Sequence, residues 1–156
     1  MSTLWTLDVH DDHPGDATGI VDRGLGSSND AAAPLHEVRL LSCFARDAAG
    51  TVIGGAVGRR WGGCCELQQL WVTPERRRQG LGAELVRAFE ARALAHGCTT
   101  FYLETFDFQA PHLYESLGYR KTHAHAVYPH GIVRFTMVKV LGTARPEASM
   151  RGDDGA

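Results

Sequence analysis

Apolar and polar positions alternate along several short stretches of the chain, and these stretches predict β-strands. Residues 4–9 are a first strand candidate, and the glycine-rich stretch that follows has weak helical character only at residues 17–25. Three further strands separated by short turns predict an antiparallel meander. They span residues 38–46, 51–59 and 64–72. Gly54 and Gly55 indicate a bulge or a close backbone approach in the second of these strands.

The hydrophobic period becomes helical at residue 81. Apolar residues then recur at helical spacing as far as residue 95, and Gly97 is a typical helix stop. A strand at 98–105, a short helix at 112–117 and a final strand pair at 119–124 and 132–141 follow. This order predicts an α+β domain with a mixed, mostly antiparallel sheet and flanking helices. The strands on either side of the long helix should be parallel, joined by a right-handed crossover.

Length and charge restrict the functional classes. The 156 residues fit a single domain at 1–141, followed by a polar segment at 142–156 that we expect to be disordered. A formal net charge of −2 gives no overall field that favours nucleic acid or an anionic membrane. The sequence contains no apolar run of ~18 residues and no basic leader, so we expect neither a membrane span nor a signal peptide. Four cysteines without CxxC spacing indicate reduced thiols in a cytoplasmic protein.

A basic, glycine-containing loop joins the third strand to the long helix. The first N–H groups of a helix lack intrahelical acceptors and favour anions, and Gly80 and Gly82 allow a phosphate to approach the backbone. Three arginines at 76–78 add positive charge. A solvated basic turn is the alternative interpretation. The loop has no GxxxxGK[ST] pattern, and Leu85 stands where GxGxxG requires glycine, so triphosphate and dinucleotide sites are not predicted.

The spacing Arg77-x-x-Gly80-x-Gly82 after the strand end Leu70-Trp71-Val72, with Tyr114 and Gly118-Tyr119 downstream, closely resembles the GNAT superfamily of N-acetyltransferases. The resemblance covers residues 35–141. It implies acetyl-CoA bound between two splayed parallel strands, with its pyrophosphate at residues 77–83. The pantetheine arm would pair with the backbone like an added strand. The implied cofactor-binding residues are Trp71, Val72, Arg77, Arg78, Gln79, Gly80, Leu81, Gly82 and Ala83. Asp107 replaces an asparagine common in the family, and we assign it no cofactor role.

The resemblance also implies the catalytic residues. Glu66 lies fourteen positions before Gly80 and matches a general base that deprotonates the amine, although a cross-strand pair is the structural alternative. Glu104 is the second candidate, and Gln68 is expected on the same face as Glu66. The backbone N–H of Val72 is the expected oxyanion donor. Tyr114 matches the acid that protonates the leaving thiolate, with core packing as its alternative.

Other features carry weaker functional signals. His123 and His125 share a face in strand geometry with His130 nearby, but no grouped acidic or cysteine ligand supports a metal site. The acidic residues near the expected cleft favour a cationic acceptor such as a polyamine, an aminoglycoside, a lysine side chain or a small metabolite. A homodimer is compatible with the resemblance. A non-catalytic CoA-binding sensor and a structural partner-binding domain are the alternative functions.

Overall fold

The computed structural model describes residues 4–142, which form two compact units divided between residues 37 and 38. The first unit contains helix α1, Gly15–Ala32, and a single 3₁₀ turn, Leu35–Glu37. Residues 4–9, where we expected a strand, have no regular structure. The described part of this unit contains no strand, so within it the backbone groups of residues 4–9 have no ladder to join.

Helix α1 is twice as long as the weak helical pattern suggested. It begins directly after Pro14 and ends before Ala33, although Gly19, Gly24 and Gly26 lie within it. Each internal glycine costs a helix about 1 kcal/mol relative to alanine, which is why the pattern underestimated its length. Asp16 in the first turn offsets part of this cost by facing the positive end of the helix dipole.

The second unit is a mixed α+β fold, as the sequence predicted. Its six strands form one sheet in the order β1-β2-β3-β4-β6-β5, with helices α2 and α3 placed between strands in the chain. The bounds are β1 Arg39–Arg46, β2 Val52–Trp61, β3 Cys64–Val72, α2 Leu81–Ala95, β4 Thr100–Phe106, α3 Pro111–Ser116, β5 Arg120–His125 and β6 Arg134–Val140. Strands β1 to β3 are the predicted antiparallel meander, and β3 and β4 are parallel.

The two parallel strands separate part-way along their length. Their ladder runs only from Cys64 and Thr100 to Leu67 and Leu103, after which each strand continues without the other. At this point β3 contains a bulge, because Gly58 of β2 lies opposite Leu67 and the next residue, Val57, lies opposite Gln69. Gln68 is therefore the extra residue, and it re-aims β3 away from β4.

Gly58 is the residue that allows this bulge. A Cβ atom at this position would collide with the carbonyl oxygen of Glu66 and lie 2.9 Å from the Phe89 ring. We expected a bulge or a close approach at Gly54 and Gly55, and the close approach is what occurs. A Cβ at Gly55 would lie 2.7 Å from the ring of Phe44 on the neighbouring strand.

Cross-strand partners define two faces of the sheet. On the helix face, Ala56, Cys65, Leu67, Phe101 and Leu103 are buried in one cluster with the α2 residues Leu85, Val86, Phe89 and Ala93. We call the opposite face the carboxylate face. It carries Arg59 of β2, Glu66 of β3 and Tyr102 of β4, which lie side by side on neighbouring strands. Glu104 and Phe106 follow at alternate positions along β4. Helix α2 has the bounds that its period predicted, and Gly97 follows it with a φ of 88°.

Within residues 4–142, no helix has both the length and the apolar character needed to cross a membrane. The polar segment that we expected to be disordered lies, apart from Gly142, outside the described residues.

Candidate active site

A cavity of about 620 Å³ opens where β3 and β4 separate. Its walls come from both strand ends, from the loop after β3 and from the first turns of α2 and α3. The lining residues are Leu67, Gln68, Gln69, Leu70, Trp71, Val72, Arg76, Arg77, Arg78, Gly80, Leu81, Gly82, Ala83, Glu104, Thr105, Phe108, Gln109, Ala110, Leu113 and Tyr114. The splay therefore brings together most of the residues singled out in the sequence.

The loop after β3 has the backbone geometry of an anion site. Arg78 and Gly80 both have left-handed backbones, with φ of 59° and 85°, which turn the chain sharply before α2 begins. No side chain caps the start of α2, and its first backbone bond runs from Glu84 N–H to the Gly80 carbonyl at 3.1 Å. The N–H groups of the three residues between them have no acceptor within the helix.

Gly82 leaves space that the protein itself does not fill. A Cβ there would make only ordinary contacts, the nearest at 3.5 Å from Leu113, and its φ does not require glycine. The fold therefore tolerates a small side chain at this position. A bare backbone beside uncapped N–H groups and the arginines at 76–78 fits a phosphate-bearing ligand.

The end of β3 presents backbone groups to the cavity. Thr73 N–H donates to the Ile53 carbonyl at 2.9 Å, so it points toward β2. Because successive backbone groups of a strand point to opposite sides, the N–H and carbonyl of Val72 point away from β2, toward the separated β4. The Val72 carbonyl accepts a hydrogen bond from Arg77 Nε at 2.9 Å, while Val72 N–H remains directed at the opening.

Tyr114 lies in the short helix α3 on the helix-face side of the cavity. Its side chain is 8% exposed, and its ring packs edge-on against Tyr119 with centroids 5.9 Å apart. Burial raises the pKa of Tyr114 to about 12. The phenol is therefore protonated at neutral pH and available as a hydrogen-bond donor. Tyr114 packs in the core, as one of the two interpretations of the sequence expected, and it also lines the cavity, while its role as an acid stays a prediction.

The two candidate bases both lie on the carboxylate face, each paired with an arginine. Glu66 accepts a hydrogen bond from Arg59 Nε at 2.7 Å, which is the cross-strand pair considered from the sequence, and it is not one of the cavity-lining residues. This bond raises the pKa of Arg59, and burial followed by the Glu66 charge raises the pKa of Tyr102. Glu104 pairs with Arg134 and does line the cavity.

Gln68 and Asp107 are the two further polar residues considered from the sequence, and of these only Gln68 lines the cavity. Gln68 is the bulged residue, so its position relative to Glu66 cannot follow from alternation, although it does line the cavity. Asp107 does not line the cavity. It exchanges hydrogen bonds with Val133, whose N–H donates to Asp107 Oδ2 at 3.2 Å, and so joins the end of β4 to the segment before β6.

The comparison with known proteins agrees with this geometry. The sequence model described as the acetyltransferase (GNAT) family matches residues 11–119, more than half of the chain. The chain belongs to the GNAT acetyltransferase family. A curated relative, blasticidin-S acetyltransferase of Streptomyces morookaense, is 38% identical over 69% of this chain and 82% of its own length. The GNAT chain described here is therefore an N-acetyltransferase.

Solved structures share its fold. An acetyltransferase from Bacillus cereus ATCC 14579 aligns with a TM-score of 0.73 at 23% identity, covering 86% of this chain and 98% of its own. A chain of the NatC complex, solved with a Gag peptide and CoA, aligns with a TM-score of 0.58 at 22% identity over 65% of this chain and 71% of its own. At these identities the likeness concerns the fold.

Gln109 is a site residue of the GNAT chain that sequence reasoning missed. Its Oε1 accepts hydrogen bonds from Phe106 N–H at 2.8 Å and from the Thr105 hydroxyl at 3.1 Å. A glutamine after a strand carries no distinctive sequence signal, because only the folded turn brings these donors to one oxygen.

Two of the histidines considered from the sequence form a ring pair. The rings of His123 and His125 lie edge-to-face on exposed β5, with centroids 4.3 Å apart. Among residues 4–142, no group of three or more His, Cys, Asp or Glu side chains is arranged to hold a metal ion.

The raised pKa of Tyr114 predicts a loss of stability at alkaline pH. An unfolded tyrosine titrates near pH ~10, so the folded state holds this proton more tightly. That stabilisation is fully present below pH ~10 and is lost as the pH rises toward the folded pKa. Between pH ~10.5 and ~11.5, the unfolding free energy of the wild type should fall more steeply than that of Tyr114→Phe, by about 1 kcal/mol per pH unit. Urea titrations measure both slopes, and equal slopes would contradict the shift.

Proposed function

We propose that this N-acetyltransferase moves the acetyl group of acetyl-CoA to a primary amine by direct attack, with both substrates bound at once. The observation that carries the proposal is the cavity at the splay. It is continuous from the uncapped glycine loop to Glu104, and Tyr114 lines the same space. A phosphate site, a carboxylate and a protonated phenol are thus available to one pair of reactants.

The glycine loop is the proposed pyrophosphate site. Backbone N–H groups of residues 77–83 would donate to the phosphate oxygens, and Arg77 and Arg78 would add positive charge. Trp71 and Val72 would hold the pantetheine arm at the strand end. When bound there, acetyl-CoA supplies an acetyl group activated as a thioester. Val72 N–H, which points toward the opening, would donate to the carbonyl oxygen as negative charge develops on it.

The carboxylate face would receive the amine. An alkylammonium with a pKa near ~10.4 must lose a proton before it can attack. We assign Glu66 as the base that accepts this proton, as expected from the sequence. Because Glu66 does not line the cavity, a water molecule would carry the proton to it. Glu104, which does line the cavity, would attract the cationic amine and orient it.

Tyr114 would donate a proton to the departing thiolate. Its burial keeps the phenol neutral at physiological pH, so it provides a hydrogen bond without introducing negative charge next to the leaving sulfur. Full proton transfer from a phenol of pKa about 12 to a thiolate of pKa ~8.5 is uphill. The contribution is therefore a hydrogen bond that is strongest as the bond to carbon breaks, when the negative charge on sulfur is largest.

Blasticidin S is the first acceptor to test. It is the compound in the name of the curated relative, and the alignment covers 82% of that protein. A polyamine, an aminoglycoside and a lysine peptide are the further acceptors, because Glu104 favours a cation in each case. Release of free CoA thiol reports transfer to any of them.

Gly82→Glu should abolish acetyl-CoA binding without unfolding the protein. The wild type should bind one acetyl-CoA per chain in calorimetry, whereas a glutamate would place bulk and negative charge in the space beside the uncapped N–H groups. Gly82→Ala is the matched control for folding, since its Cβ makes only ordinary contacts. A wild-type protein that does not bind millimolar acetyl-CoA would refute the proposed function.

Glu66→Gln and Glu104→Gln should have different kinetic effects. Loss of the base should lower kcat at neutral pH by roughly 10²–10⁴-fold, with much of the activity returning at high pH where the amine is already neutral. Loss of the orienting carboxylate should chiefly raise the KM for the amine. Steady-state kinetics across pH separates the two patterns. The reverse assignment would follow if Glu104→Gln gave the pH-rescued fall in kcat.

Tyr114→Phe should lower kcat by about 10–10³-fold while the acetyl-CoA dissociation constant stays nearly unchanged. The substitution removes only the hydroxyl, so ring packing against Tyr119 persists. The loss should shrink with an acetyl thioester whose thiol is more acidic, because a better leaving group needs less proton donation. Losses of equal size for thioesters of different thiol pKa would reject the acid role, even with kcat reduced.

A further inference from the structure

Three aromatic rings form a cluster at the carboxylate-face edge of the cavity. The rings of Phe106 and Phe108 are stacked, with centroids 5.2 Å apart and planes 8° from parallel. Tyr128 meets Phe106 edge-on at 5.3 Å. Phe108 is the outermost of the three, and it is the one that lines the cavity, with 66% of its surface exposed.

The turn that carries Phe108 is held by hydrogen bonds on both sides. Gln109 bonds to Phe106 through its own N–H at 3.0 Å and through its side chain at 2.8 Å. Asp107 N–H donates to the Val133 carbonyl at 2.9 Å, in addition to the bond that its carboxylate accepts. Phe108 is therefore an exposed aromatic side chain on a fixed turn, with its ring plane set by Phe106.

The position of the cluster identifies which reactant it faces. Phe106 follows Tyr102 and Glu104 at alternate positions of β4, so it projects from the carboxylate face. The glycine loop leads into α2, which packs on the helix face. Phe108, stacked on Phe106, therefore lies toward the face that carries Glu104, opposite the proposed pyrophosphate site, and Phe108 and Glu104 line the same cavity.

We propose that Phe108, supported by Phe106, is a stacking platform for a planar ring in the acceptor, so that the acceptor class is an amine bearing an aromatic or heteroaromatic ring. This inference rests on the proposed function. Offset stacking on a ring whose plane is already set favours a flat partner over a puckered one of equal size. Glu104 would then hold the ammonium group while Phe108 holds the ring.

A pair of amines with the same carbon skeleton, one with a planar aromatic ring and one with a puckered saturated ring, tests the proposal. The wild type should use 2-phenylethylamine with a kcat/KM roughly 3- to 10-fold above that for 2-cyclohexylethylamine. Phe108→Leu should bring the ratio close to one and leave the KM for acetyl-CoA unchanged. Phe44→Leu is the matched control, because Phe44 is 53% exposed on β1 and does not line the cavity. That variant should keep the wild-type ratio.

Each other outcome has a defined meaning. Equal use of the two amines by the wild type, or a preference that survives in Phe108→Leu, would overturn the platform. A rise in the acetyl-CoA KM of Phe108→Leu without a change in the amine ratio would assign the ring to the cofactor and overturn the acceptor assignment. Dissociation constants of the two amines, measured by calorimetry without cofactor, report the ring preference independently of turnover. Absence of acetyl transfer with the preference retained would therefore refute the proposed function and not the platform.

Discussion

The separation of β3 from β4 after Leu67 and Leu103 is the constraint on which the site depends. Two parallel strands that stayed paired would satisfy each other's backbone groups and leave no room between them. The extra residue in β3, Gln68, ends the pairing, and Gly58 on β2 makes that extra residue tolerable because any side chain there would collide with Glu66. One glycine outside the cavity thus determines whether the cavity exists.

Where β3 and β4 separate, both faces of the sheet contribute residues to one cavity, although the chemical groups on the two faces differ. The helix face contributes the uncapped start of α2 and a buried phenol, whereas the carboxylate face contributes two arginine-paired glutamates and a ring cluster. An anionic reactant and a cationic one can therefore approach from opposite sides without sharing a binding surface. The anionic reactant would meet the uncapped N–H groups and the arginines of the loop, while the two carboxylates of the other face are each paired with an arginine, which limits their repulsion of it.

Most of the second unit could be predicted from the sequence because its local signals agree with one another. Strand β3 and helix α2 have the predicted bounds, since alternation, a glycine loop and Gly97 mark them independently. Residues 4–9 lacked such agreement, because an apolar run specifies a strand only when another strand pairs with it. The backbone conformation of the glycine loop was equally predictable, because contiguous residues determine it.

Tertiary features of the site could not be predicted in the same way. The bulge at Gln68 depends on the close approach of Gly58 to Glu66 on the neighbouring strand, and the link from Asp107 to Val133 joins positions far apart in the chain. Pairing of Glu66 with Arg59 was foreseen only as one of two alternatives, because a glutamate in a strand is compatible with both pairing and catalysis. Phe108 could not be singled out from the sequence, because its stacking on Phe106 and its place at the cavity arise only in the folded turn.

The missing cap on α2 has a consequence beyond ligand recognition. Many helices begin with a serine, threonine, aspartate or asparagine whose side-chain oxygen accepts a hydrogen bond from a backbone N–H of the first turn, and Gly80 has no such side chain. A bound phosphate would supply the absent acceptor, so the ligand would stabilise the first turn of α2 for as long as it is bound. A protein built in this way resists unfolding better when its cosubstrate is abundant. Its lifetime in a cell would then follow the supply of acetyl donor, even at moments when no amine is present to be acetylated.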